Sequence, residues 1–264
     1  MKVCLAQLEV AATKGANLDK ILGVIERLED RTKLVVFPEY IMGYPKGGLT
    51  IDYVREVSED LGGEFVSEVA AASAKRGTNV LLPIFEKGGS RVYNTSVVIS
   101  GGKVIGRYRK LRLFDALGYR ESDIFGTGSE LVVFRSGRLC FGTVICYDVR
   151  FPELIKRQAL AGAEVILVPA AWYKGQMKEE QWQTLLMARA HEDTCYVVGV
   201  GNANEAFIGR SIVVTPFGVK ALDLGVGERT GYFNLDRRLV SDARRSLPVL
   251  RQSTGRAPFI RRLN

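Results

Sequence analysis

Histidine occurs once in 264 residues, at His191. That scarcity excludes His-rich zinc sites and forces any Ser–His or Cys–His dyad through a single side chain. His191 lies in the helical pattern Leu185–Glu192, just before an apolar run, where a helix-surface or capping position accounts for it. A general base in this chain is therefore expected to be a carboxylate. Apolar runs approaching the ~18 residues of a membrane-spanning helix are missing too. Met1-Lys2-Val3-Cys4 passes straight into a strand pattern without the character of a signal peptide. Cysteine is sparse: Cys4, Cys140, Cys146 and Cys195 make neither a disulfide framework nor a metal-ligand spacing. Apolar flanks around Cys4, Cys140 and Cys195 fit reduced thiols, so the expected location is cytoplasmic, with no membrane partner.

The remaining composition is that of an ordinary globular chain, 47% hydrophobic and 25% charged. The formal charge of +8 raises the question of nucleic acid. The basic residues are spread along the chain, with dense runs at Arg107, Arg109, Lys110 and Arg112 and again over Arg237–Arg262. No helix-turn-helix, zinc-finger or RNA-binding signature accompanies them. A solvated basic face, or attraction for a small anionic substrate, explains the charge, and no nucleic-acid partner is expected.

Periodicity supplies the fold class. A strand over Lys2–Gln7 precedes a helix near 17–30, carried by Leu18, Ile21, Leu22, Ile25 and Leu28. Leu34–Phe37 is a buried strand. Phe65, Val66, Val69 and Ala72 mark a second helix, and strands at 79–85, 91–99 and 103–108 follow through Gly-Gly turns. After a loop over 115–129 and a strand at 131–135, the element order repeats. Strand 139–145, helix 151–161, strand 164–168, helix 179–192 and strands 195–200, 211–214 and 218–222 complete a second βαβαβββ half. Two sheets, each covered by helices on one face, bury their open faces against each other. The expectation is an α/β, four-layer α-β-β-α sandwich, one domain over 1–264, with an extended C-terminal tail over about 236–264.

Three chemistry-bearing residues stand at strand ends, where open α/β proteins collect their sites. Glu39 follows Leu34–Phe37, Lys110 closes Val104–Lys110, and Cys146 ends Leu139–Ile145. Each has a plain alternative: a loop cap, a solvated basic edge, a buried structural thiol.

The segments Phe37-Pro38-Glu39-Tyr40, Tyr108-Arg109-Lys110-Leu111-Arg112-Leu113-Phe114-Asp115 and Ile145-Cys146-Tyr147-Asp148-Val149-Arg150-Phe151-Pro152-Glu153 resemble the nitrilase, or carbon-nitrogen hydrolase, superfamily in order and spacing. The resemblance runs from Lys2 to about Pro248 and implies the same α-β-β-α fold. It implies a Glu39-Lys110-Cys146 triad in which Glu39 takes the thiol proton as Cys146 attacks a carbonyl. Lys110 and the Tyr147 backbone N–H would hold the oxyanion, and a thioester would then be hydrolysed. Glu121, in Tyr119-Arg120-Glu121-Ser122, matches a second glutamate of the family's amidases, placed to hold Lys110 and the substrate or to assist hydrolysis. Many relatives carry His where Arg112 stands, and Arg112 adds positive charge near the pocket mouth.

Cys-Tyr-Asp-x-Arg-Phe-Pro-Glu is similar to the amidase branches, among them omega-amidases and deaminated-glutathione amidases, which act on short amides with a distant carboxylate. Arg150 has two readings, a bidentate carboxylate ligand or a scaffold residue paired with Asp148 or Glu153. Trp172, Tyr173 and Tyr44 either wall the pocket or pack the core. The resemblance thus implies a cofactor-free, metal-free amidase for a small, carboxylate-bearing linear amide, releasing ammonia. A homodimer or larger even homo-oligomer is expected. Alternatives are hydrolysis of N-carbamoyl amino acids, of nitriles, or a catalytically silent basic binding scaffold.

Overall fold

Val3 and Leu5 of the first strand face one way and Cys4 and Ala6 the other, yet all four are buried. A strand buried on both faces belongs in the middle of a layered sheet. In the computed structural model, which describes residues 1–253, this strand is β1 (Lys2–Gln7). It is followed by α1 (Lys14–Glu26), β2 (Thr32–Val36), α2 (Ile51–Val57), α3 (Glu64–Arg76), β3 (Asn79–Gly88), β4 (Arg91–Ser100) and β5 (Lys103–Arg109). A small hairpin, β6 (Asp115–Ala116) and β7 (Tyr119–Arg120), leads into a 3₁₀ turn at Glu121–Asp123. The second half comprises β8 (Val133–Ser136), β9 (Leu139–Thr143), a 3₁₀ turn at Cys146–Arg150, α4 (Pro152–Leu160) and β10 (Val165–Ala170). Then come α5 (Lys178–Glu192), β11 (Tyr196–Gly201), β12 (Ile212–Val214), β13 (Lys220–Asp223), β14 (Arg229–Asn234), α6 (Arg237–Ser246) and α7 (Val249–Gln252).

Two six-stranded sheets result, ordered β14-β1-β2-β3-β4-β5 and β13-β12-β11-β10-β9-β8. In each, three parallel strands continue into two antiparallel ones, and a sixth strand lies antiparallel beside the first. The repeated element order is thus a repeat of sheet topology. Between the sheets, Val3, Leu5, Leu34, Val36 and Leu81 meet Phe141, Val165, Leu167, Val198 and Val213. The outer face of the first sheet packs Val35, Val80 and Leu82 under Ile21, Ile25, Phe65 and Val69. That of the second packs Ile166, Val168 and Val197 under Leu154, Ile155, Trp182 and Leu186. These three apolar layers are the α-β-β-α sandwich expected from the sequence.

Two differences concern the C-terminal region. β14 goes unread in the sequence, just ahead of the expected tail, because Arg229, Gly231 and Asn234 blur its pattern; its pairing with β1, residue for residue from Lys2↔Asn234 to Gln7↔Arg229, is what makes it a strand. The segment from 236 is not extended either. The Asp236 side chain accepts from the Arg238 N–H and caps α6, whose Val240 and Ala243 are buried, while Pro248 follows its end. Arginine favours helix, so a charge-rich run without a broad apolar stripe still closes one. The remainder of the expected tail, 254–264 with Pro258, lies outside the described residues.

Leu167 is fully buried in the layer between the sheets. Leu167→Ala should therefore cost about 2–5 kcal/mol in equilibrium urea denaturation, since its neighbours on both sheets cannot collapse into the gap.

Candidate active site

The site grows from the ends of three strands on different parts of the chain. β2 stops at Val36, and Phe37 and Glu39 are carried past its end before Tyr40 turns the chain with φ 64°. Lys110 follows β5 and is held at its backbone by an N–H donated to the Asn94 carbonyl of β4, at 2.8 Å. Cys146 opens the 3₁₀ turn after β9 with φ 48°, a left-handed conformation that costs a non-glycine residue of order 1–3 kcal/mol and concentrates at functional turns.

Lys110 sits between two carboxylates. Its Nζ lies 2.9 Å from Glu39 Oε1 and 3.0 Å from Glu121 Oε1. Asn94 Nδ2 donates to the same two oxygens, at 2.8 and 3.1 Å. The second oxygen of each carboxylate takes a backbone donor: Ala171 N–H to Glu39 Oε2 at 2.8 Å, Phe114 N–H to Glu121 Oε2 at 2.6 Å. Glu39, Asn94, Lys110 and Glu121 are all buried to 1% exposure or less. Burial by itself would lower the Lys110 ammonium, but Glu121 and Glu39 override it and raise the group well above the usual lysine range. Lys110 is a fixed cation. Burial pushes the Cys146 thiol well above its ordinary range, Glu39 adds to the push, and Lys110 opposes it only in part. At rest, then, the sulfur keeps its proton.

Asp148 joins the lysine strand to the cysteine turn. Its carboxylate accepts from Tyr108 Oη at 2.7 Å, from the Arg112 N–H at 2.8 Å and from the Ile145 N–H at 3.0 Å. Tyr108 and Arg112 flank Lys110, and Ile145 precedes Cys146. Burial raises the Asp148 carboxyl to about 6, with Lys110 and these donors restraining the rise.

Glu39, Lys110 and Cys146 line one cleft with about 370 Å³ of empty space, the solvent at its mouth included, together with Tyr40, Phe114, Tyr147, Arg150, Ala171, Trp172, Tyr173 and Lys178. Glu121 stands behind Lys110. Arg150 and Trp172 are on the wall, whereas Tyr44 is one layer back: it stacks on Tyr40 with centroids 5.9 Å apart and shares a 3.3 Å hydrogen bond with the Tyr173 hydroxyl. Arg150 does not pair with Asp148 or Glu153. It donates to Gln181 Oε1 at 2.9 Å and lies 4.9 Å over the Trp172 ring, and among the described residues it forms no ion pair. Arg112 is turned away from the mouth, over the Phe151 ring and 3.6 Å from Glu153, so its charge does not line the cleft. His191 is exposed on α5.

Asn94 and Lys178 escape a reading of the sequence. A polar residue amid the buried run of β4 marks Asn94, but its two partners are 55 and 27 residues distant. Nothing local marks Lys178, which the N-terminal turn of α5 brings beside Arg150. Burial draws the Lys178 ammonium down, and the Arg150 cation draws it further. Among the described residues no group of three or more His, Cys, Asp or Glu converges as a metal site.

Asp148→Asn puts an NH₂ against one of the donors that Asp148 now satisfies. It should cost about 1–3 kcal/mol in urea denaturation, and a variant as stable as the parent would show that the carboxylate does not join the two segments.

The family model described as Carbon-nitrogen hydrolase matches residues 2–245. The chain is similar to the deaminated glutathione amidase of Escherichia coli O157:H7, 33% identical over 222 residues, which cover 83% of this chain and 84% of that one. It is 30% identical over 275 residues to the omega-amidase of Saccharomyces cerevisiae, covering 96% and 92% of the two chains. The crystal structure of Saccharomyces cerevisiae Nit3, a member of branch 10 of the nitrilase superfamily, superposes with a TM-score of 0.84 at 28% identity over 97% of each chain. On its sheets, its strand-end residues and these likenesses alike, the chain belongs to the carbon-nitrogen hydrolase family.

Proposed function

We propose that this protein is a thiol amidohydrolase that cleaves the C–N bond of a small, linear, carboxylate-bearing amide and releases ammonia. The observation that carries the reading is a buried cleft where a carboxylate, a fixed ammonium and a thiol converge.

In this reading Glu39 accepts the Cys146 proton while the sulfur attacks the amide carbonyl. The raised thiol makes that coupling necessary, because a free thiolate is not present beforehand. The new S–C bond leaves negative charge on the carbonyl oxygen, for which Lys110 Nζ and the Tyr147 N–H are the donors. A cation already held by two carboxylates needs little reorganisation to meet it. Glu39 passes its proton to the amide nitrogen, the C–N bond breaks, and ammonia leaves a thioester on Cys146. Water, giving a proton to Glu39, attacks the thioester; the acid departs and the proton returns to sulfur. Glu121 keeps Lys110 in place throughout.

A substrate carboxylate is supported by the far wall. Arg150 and Lys178 approach the Trp172 ring at 4.9 and 5.9 Å, and each stands in the other's unfavourable field. A bound carboxylate would relieve both charges, and guanidinium takes it bidentately. The relatives named for amidase activity on deaminated glutathione and as omega-amidases fit such a substrate class. A cytoplasmic location and an even homo-oligomer belong to the same proposal.

Ammonia release should be measured over a panel of ω-amides of 2-oxo acids, neutral amides, carbamoyl amino acids and nitriles. Cys146→Ala should abolish it, and Lys110→Ala should lower kcat by about 10²–10³. Preference for carbamoyl compounds, with carbon dioxide released as well, would replace this reading. Iodoacetamide should alkylate Cys146 before Cys4, Cys140 and Cys195; uniform slow labelling of all four would speak against a catalytic thiol. Arg150→Leu should raise KM for a carboxylate-bearing amide about 10–100-fold and leave a neutral amide nearly unaffected.

A further inference from the structure

We infer that Asn94 is a positioning residue that allows Glu39 and Glu121 to remain ionised together around one ammonium. The inference rests on the reading of Glu39 as the base and extends it to a side chain that does not line the cleft.

The donors can be counted. Lys110 has three N–H bonds. One is directed to Glu39 and one to the Glu121 carboxylate, whose two oxygens lie 3.0 and 2.9 Å from Nζ, leaving the third for the substrate oxygen. Two carboxylates with one cation carry a net charge of −1 in a buried space, and like charges this close favour a shared proton. A proton held there would occupy the carboxylate that must receive the one from Cys146. Asn94 supplies two further N–H bonds from a single nitrogen, one to each Oε1. The carbonyl end of the amide cannot take that position, since it would face two carboxylate oxygens, so the partners determine its orientation.

The backbone of Asn94 adds a second link. Its carbonyl receives the Lys110 N–H at 2.8 Å, so one residue sets the height of the lysine and the separation of the acids. The Tyr40 hydroxyl reaches only Glu121, at 3.4 Å, and the Tyr119 and Tyr173 hydroxyls, which also face the acids, donate to neither, so none of them replaces a donor shared by both. A neutral donor also suits this place better than another cation. A second ammonium would neutralise the pair and weaken the hold of both carboxylates on Lys110, whereas an amide lowers the repulsion and leaves the charge on the acids.

The experiment compares Asn94→Ser and the nearly isosteric Asn94→Asp with the parent in kcat and KM against pH, on the best amide of the panel, with urea denaturation alongside. Asn94→Ser should lower kcat about 10²-fold, as for loss of one active-site donor. It should change KM by less than about threefold, because the wall is untouched. The acid limb of kcat should move up by about one pH unit, since the acids then hold a proton longer. Asn94→Asp, with three carboxylates around one ammonium, should move the limb further in the same direction. A folded variant with the parent's acid limb would overturn the inference, even with reduced kcat, because loss of packing alone does not move a titration. Failure of both variants to fold would make Asn94 a stability residue and overturn it as well. Cys146→Ala separates the two levels: its retained activity would remove the hydrolase reading itself, whereas its inactivity beside unchanged Asn94 variants would remove only this extension.

Discussion

A single buried ammonium holds the site together. Among the described residues the two carboxylates around Lys110 have no other cation, and the hydrogen bonds donated by its Nζ draw segments 71 and 11 residues away onto one point. Removing a charged group from water is costly, and that cost is recovered only when its partners are close and correctly directed. Here they are: one oxygen of each carboxylate meets both Lys110 and Asn94, the other takes a backbone N–H, and that of Glu121 also lies 2.9 Å from Lys110 Nζ. The chemistry proposed for Cys146 depends on this arrangement, because the same lysine that binds the acids faces the sulfur.

The sandwich makes such an arrangement possible. Parallel strands β1 to β3 and β9 to β11 place their carboxyl ends on one edge of two facing sheets, so residues just past those ends approach one another. The apolar layer between the sheets sets their spacing, with Leu34 and Val36 of β2 against Phe141 and Leu167 of the other sheet. Asp148 adds a polar tie, binding the groups on either side of Lys110 to the residue before Cys146. The groups of the site are therefore placed by rigid elements on both sides, and only their last residues leave regular structure.

Much of this was legible in the chain. Strands buried on both faces announce themselves as short apolar runs, and Glu39, Lys110 and Cys146 stand directly at their ends. Glu121 is reached through the family resemblance, by its match to the second glutamate of the family's amidases. Other residues could not be read there. β14 has a weak pattern of its own and exists through pairing with β1. Helix α6 is hidden by its arginines, since two buried residues suffice to dock it. Tyr44 looks like a wall residue in the linear order but supports Tyr173 from behind. Arg112 follows the lysine by two positions and still turns outward, toward Glu153.

By itself the sequence determined the layers, their order, and which side chains stand at the strand ends, because burial on one or both faces of an element leaves a periodic trace in neighbouring residues. Only the tertiary structure decided which groups share a proton or a charge. Asn94 between two acids, Arg150 beside Lys178, and Asp148 under the Tyr108 hydroxyl bring together residues 27 to 55 positions apart. Hydrogen bonds and ion pairs act over a few ångströms in space whatever the separation along the chain, so no local pattern records them.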